Sequence, residues 1–119
     1  MPGREEVARR AREVLLADLS RHPTIPELAR ACGTSPTVLK EAFREEFGMP
    51  VYQWARRRRM IAAARLLART DLPVADVARA LGYANASKFA RAFASCLRMS
   101  PTAFRERYRP RAGAGLPRS

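Results

Sequence analysis

The chain of 119 residues has one histidine, two cysteines and, among its 23 basic residues, two lysines. Each scarcity removes a class of function. The lone histidine, His22, sits beside Pro23 in a connecting segment, and no carboxylate pair, phosphate loop or nucleophile motif accompanies it, so an enzyme is not expected. Cys32 and Cys96 stand apart, with no CxxC and no nearby histidine. They are read as buried reduced thiols, with no metal site, disulfide or cofactor expected. No apolar run approaches the roughly 18 residues of a membrane span, and no early apolar segment of signal-peptide length appears. A cytoplasmic, nucleoid-associated protein with no membrane partner is the expectation.

Acidic groups are also scarce, but only in one part of the chain. Residues 1–47 carry eight basic and eight acidic groups, whereas residues 48–119 carry fifteen basic and three acidic groups. The whole net charge of +12, with a pI near 11.4, therefore belongs to the second part. A polyanionic partner is the first hypothesis. Composition alone does not establish it, because an arginine and alanine bias also follows from a GC-rich genome.

Alternating strand patterns are missing, and apolar residues recur instead at spacings of three and four. The first helix is expected from about Glu5 to Leu19, with Val7, Ala11, Val14, Leu15 and Leu19 in one stripe. Thr24 with Glu27 makes a capping box for a short second helix that Gly33 ends. Ser35-Pro36 opens a third, with Leu39, Phe43 and Phe47 inward and Gly48 as its stop. A longer helix from about Val51 to Arg69 spans roughly 28 Å at 1.5 Å per residue. Helices at about Val74–Leu81 and Ala86–Leu97 follow, then "SPTAFRERY" and a Gly- and Pro-containing tail expected to be disordered.

The chain repeats itself. Ile25, Glu27, Leu28, Ala29, Cys32 and Gly33 correspond, at an offset of 49, to Val74, Asp76, Val77, Ala78, Leu81 and Gly82. Leu39, Phe43, Phe47 and Met49 correspond, at an offset of 50, to Phe89, Phe93, Leu97 and Met99, so the second copy has one extra turn residue. In each unit a small residue, Ala29 or Ala78, lets a second helix cross closely, a glycine turns the chain, and aromatics fill the angle. That is a helix-turn-helix, whose second helix usually enters the major groove. Two plain helical hairpins are the competing explanation.

On these residues the sequence resembles the DNA-binding domain of the AraC/XylS family of bacterial transcription regulators, over about Val7 to Arg107. The second half carries Ala78, Gly82, Tyr83, Ser87, Phe89, Arg91, Phe93, Ser100, Pro101 and Phe104, and the first carries Leu28, Ala29, Gly33, Ser35, Leu39, Phe43 and Gly48. Arg59, Met60, Ala63, Leu66 and Leu67 fit the family's linker helix. "LKEAFREEFG" is similar to the siderophore-responsive branch. The resemblance implies an all-α fold of about seven helices: a helix-turn-helix subdomain over residues 4–50, a linker helix over 51–69, a second subdomain over 70–108 and a tail over 109–119. It implies a sequence-specific regulator of double-stranded DNA, more commonly an activator contacting RNA polymerase, whose monomer places two recognition helices in successive major grooves. Groove spacing of about 34 Å is compatible with the linker's length. Family members normally carry a sensing domain ahead of this part, so the chain is read as a stand-alone member or a fragment.

By position, the first recognition helix would direct Ser35, Thr37, Lys40, Glu41 and Arg44 at bases or phosphates. Glu41 stands where many relatives place a basic residue; it would accept from cytosine N4 or pair with Arg44 away from DNA. The second helix would direct Asn85, Ala86, Ser87, Lys88 and Arg91, with Arg91 addressing guanine or phosphate. Arg98 replaces a turn glycine matching Gly48, which implies a strained turn or a further phosphate contact.

Four arginines, Arg56 to Arg59, cannot form one face, since successive helical residues turn by about 100°. Arg58 aligns with Arg65 and Arg69 on an outer ridge available to phosphates or to solvent. Arg56 and Arg59 share the side of Met60, Ala63 and Leu67. Arg59 is expected to be structural, paired with Asp76 or an acid of the first recognition helix. A helical protein-interaction module and a non-specific basic nucleic-acid-binding protein remain the alternative functions.

Overall fold

Local signals in the sequence fix where the helices begin and end. In a computed structural model, which describes residues 2–109, the described residues form seven α-helices and no strand. These are α1 (Arg4–Ala17), α2 (Ile25–Ala31), α3 (Pro36–Phe47), α4 (Val51–Arg69), α5 (Val74–Ala80), α6 (Ala86–Leu97) and α7 (Pro101–Tyr108). The chain divides into two compact units within α4, Met1–Arg58 and Arg59–Ser119.

In the first unit, α2 starts with the expected capping box. Thr24 Oγ1 accepts from Glu27 N at 3.2 Å, and Glu27 Oε1 accepts from Thr24 N at 2.8 Å. The core unites Val7, Ala11 and Leu15 of α1, Leu28 and Ala29 of α2, Cys32, Leu39, Ala42 and Phe43 of α3, and Val51 and Ala55 of α4. Burying a leucine or phenylalanine of this kind contributes roughly 1.5–3 kcal/mol. Phe43 meets Phe47 at 4.6 Å and, edge-on, Trp54 at 5.5 Å, so the aromatics key α3 to the start of α4.

The structure departs from expectation in α1. The helix stops at Ala17, and Asp18 at its end is extended, with its carboxylate accepting from Ser20 N and Oγ. An aspartate that hydrogen-bonds its own following backbone offers the chain a turn in place of further helix. Leu19 thus lies beyond α1, and Val14 is 40% exposed instead of facing the core. Val7, Ala11 and Leu15, spaced by four, already complete the inward stripe.

In the second unit, Met60, Ala63, Leu67, Val77, Ala78, Leu81, Phe89 and Phe93 are buried. Phe93 also packs edge-on against Phe104 of α7 at 5.5 Å. Thr70 ends α4: its hydroxyl donates to Leu66 O at 2.7 Å and accepts from Leu72 N at 3.2 Å. Arg105 of α7 donates through Nε to Leu67 O at 3.0 Å, satisfying a carbonyl in the last turn of α4. Arg109, grouped with the tail on sequence, closes α7 and pairs with Asp71, whose carboxyl it holds below the usual range. Residues 110–119 of the tail lie outside the described residues. Cys32 is buried, and burial pushes its thiol up; Cys96 is only half-buried, which corrects the expectation of two buried thiols.

Candidate nucleic-acid interface

The turns of the two repeat halves close in the same way, hydrogen bond for hydrogen bond. At the end of α2, Gly33 has φ +70°, Gly33 N donates to Arg30 O and Thr34 N to Ala29 O. At the end of α5, Gly82 has φ +85°, Gly82 N donates to Arg79 O and Tyr83 N to Ala78 O. This paired closure needs a left-handed residue, which glycine adopts without strain. One extra residue then separates the turn from the next helix in the second unit. Ser35 caps α3 by accepting from Val38 N at 3.2 Å, and Asn85 caps α6 by accepting from Ser87 N at 2.7 Å and Lys88 N at 3.1 Å.

Each cap opens a helix of twelve residues whose buried side falls at corresponding positions of the repeat. Leu39 and Phe43 of α3 are buried, as are Phe89 and Phe93 of α6. Their opposite sides carry the sequence-predicted contacts: Ser35, Thr37, Lys40, Glu41 and Arg44 are all exposed on the first unit, and Asn85, Ala86, Ser87, Lys88 and Arg91 on the second. Two of these have a second duty. The side-chain oxygens of Ser35 and Asn85 are committed to capping, which leaves the serine O–H and the asparagine N–H₂ as free donors.

At the far end of each helix the repeat diverges in residue but not in shape. Gly48 has φ +78° and donates its N–H to Arg44 O; Arg98 has φ +66° and donates to Ala94 O, both at 2.8 Å. Arg98 is therefore a side-chain-bearing residue forced into the left-handed region, which costs about 1–2 kcal/mol relative to an ordinary conformation.

In the ion pair it forms, Glu41 takes Arg4 and not Arg44. Arg4, at the start of α1, donates to Glu41 Oε1 at 3.2 Å and to both oxygens of Glu45 at 3.0 and 3.1 Å. No pattern in the sequence marks this cluster, because the packing of α1 on α3 brings together groups 37 and 41 positions apart.

The four arginines of α4 separate as the 100° turn requires. Arg57 and Arg58 are exposed, Arg56 is half-buried, and Arg59 is 4% exposed. Arg58 lies over the Trp54 ring at 5.4 Å, a cation–π contact that sequence reasoning did not foresee. The indole holds the guanidinium at the surface while leaving its N–H donors available.

Comparison with known proteins places this geometry. Residues 28–107 match the profile of a helix-turn-helix domain. The chain belongs to the AraC-type helix-turn-helix family. It is 34% identical over 84 residues to the arabinose operon regulatory protein of Salmonella typhimurium, a match covering 71% of this chain and 30% of that protein. Among solved structures it resembles the C-terminal domain of AraT, a response regulator from Geobacillus stearothermophilus, with a TM-score of 0.85, 28% identity and 88% of each chain covered. It also resembles the DNA-binding domain of AdpA, a global transcriptional factor solved with a target DNA, with a TM-score of 0.81 and 26% identity, covering 87% of this chain and 93% of that one. The family is one of DNA-binding transcription regulators. Among the described residues no helix is long and apolar enough to cross a membrane, and no group of metal-ligating side chains occurs.

Proposed function

We propose that the chain is the DNA-reading part of a transcription regulator and that α3 and α6 each enter a major-groove segment of one asymmetric site. The observation that carries this reading is the paired construction of the two helices. Each is N-capped, held from behind by apolar and aromatic side chains, and presents a stripe of polar and charged side chains outward. Packing alone has no use for two matched outward stripes. Ser35, Thr37, Lys40, Glu41 and Arg44 are the proposed contacts of α3. Asn85, Ala86, Ser87, Lys88 and Arg91 are those of α6, and Arg58 is a phosphate contact of α4. Arg91 addresses guanine or phosphate, while Ala86 and Ser87 let the start of α6 lie close to the groove.

As part of the same proposal, the chain binds as a monomer in the cytoplasm, in association with the nucleoid, and serves activation through contact with RNA polymerase. Selection of genomic DNA fragments with the purified chain tests the central claim, at a salt concentration that suppresses non-specific binding. A shared motif is the expected result, and recovery of unrelated fragments would refute sequence-specific reading. Light scattering of the recovered complex tests the stoichiometry, for which one chain per site is expected.

A further inference from the structure

The outer stripe of α3 poses an electrostatic problem. It holds Lys40 and Arg44 but also Glu41 and Glu45, and with Glu46 elsewhere on its surface the helix meant to approach phosphates carries three acidic groups against two basic ones. At the position of α6 that corresponds to Glu41, at an offset of 50, stands Arg91. A bare glutamate with three rotatable side-chain bonds would swing away from a polyanion and contribute no reading at all.

We infer that Arg4 is a positioning residue that makes Glu41 a reader of cytosine; this rests on the reading of α3 as a DNA-contacting helix. The donor geometry is asymmetric. Arg4 Nε and Nη2 engage both oxygens of Glu45, at 3.1 and 3.0 Å, and so neutralise it in the two-bond arrangement that guanidinium and carboxylate favour. Toward Glu41 the same Nη2 reaches only Oε1, at 3.2 Å. Oε2 is left to accept from another donor, while the shared guanidinium lowers the repulsion that Glu41 would otherwise meet from phosphates. Of the two major-groove donors, cytosine N4 and adenine N6, a carboxylate prefers cytosine N4, because adenine places the N7 acceptor beside its donor. An arginine instead donates to guanine O6 and N7. The two equivalent positions of the repeat, Glu41 and Arg91, thus carry opposite chemistry and read opposite bases.

The test selects binding sites from a randomised duplex library with the wild-type chain and with Arg4→Ala, Arg4→Lys, Glu41→Gln and Glu41→Ala, and compares base preference position by position. The wild type is expected to prefer cytosine at one position by on the order of tenfold. Glu41→Gln is expected to move that preference to adenine, and Glu41→Ala to abolish it. Arg4→Ala is expected to flatten the same position to less than about threefold, alongside a uniform weakening from the missing charge. Arg4→Lys restores the charge but not the planar fork, so overall affinity returns while the cytosine preference stays flattened. Melting temperatures stay close to wild type, because the Arg4 and Glu41 side chains are 46% and 57% exposed and such pairs add little stability. A motif that Arg4→Ala leaves unchanged in shape overturns the inference, as does a motif indifferent to both Glu41 substitutions. Recovery of no motif by the wild type refutes instead the sequence-specific reading on which it rests.

Discussion

At the residue scale the most informative side chain is Arg98. Its φ of +66° is the conformation of Gly48 in the other unit, adopted without glycine's freedom. Replacing it by glycine relieves about 1–2 kcal/mol of left-handed cost and adds back roughly 0.5–1 kcal/mol of unfolded-chain entropy. Arg98→Gly is therefore expected to raise the melting temperature by a few degrees, as calorimetry would record, and an unchanged or lower value would show that the arginine stem packs favourably enough to compensate. Arg91 is the opposite case, exposed and free of structural duty. Arg91→Ala should weaken specific DNA binding by about 1–3 kcal/mol in a fluorescence anisotropy titration while leaving the melt unchanged. Arg98 was legible in the sequence as the residue standing where Gly48 stands in the first copy, whereas Arg91 was singled out by the family resemblance. The Arg4 cluster was not legible, because an ion pair between residues far apart in the chain leaves no periodic trace.

At the scale of the element, α2 and α5 are equivalent helices with unequal beginnings. Thr24 and Glu27 exchange hydrogen bonds at the start of α2, whereas Pro73 precedes α5 and makes no side-chain cap. The first unit depends on its box. Thr24→Ala should cost about 1 kcal/mol in denaturant unfolding, and the loss should appear at neutral pH. Helix identity, the turn glycines and the inward faces of α3 and α6 could be read from spacing, because burial enforces period. The end of α1 could not be read this way: Leu19 continues the apolar pattern, but Asp18 closes the helix first. Within α4 the angular arithmetic sorted four consecutive arginines correctly by exposure, yet it had no means of placing Arg58 over Trp54.

At the scale of the molecule, charge is divided unequally. The unit Met1–Arg58 holds eleven basic and eight acidic groups, and Arg59–Ser119 holds twelve and three, net +3 against +9. Non-specific affinity should come mainly from the second unit. Charge-neutralising substitutions there are expected to flatten the dependence of log K on log salt by about 0.9 for each phosphate no longer neutralised, and equal numbers in the first unit to flatten it less.

Acid should act on both units. Glu27 is held below the usual carboxylate value of 4.5 chiefly by the backbone N–H of Thr24; Asp18 and Asp71 are held below 3.8 by Ser20 and Arg109 respectively. Groups lowered in the folded state add stability above those ordinary values and lose it as pH falls through the folded ones. Thermal melts should therefore be nearly level from pH 7 to about 5 and decline below about 4.5, with Glu27→Gln losing part of that acid-dependent decline.

The identical lengths of α3 and α6, set between side-chain caps and left-handed ends, make their outward residues transplantable. On the proposed reading, giving α6 the outward residues of α3, with its own phenylalanines kept inside, would create a protein whose preferred site carries one half-motif twice. Arg4 has no place in that graft, so the copied glutamate would sit in the second half without its clamp, and the second copy of the half-motif should read less sharply than the first.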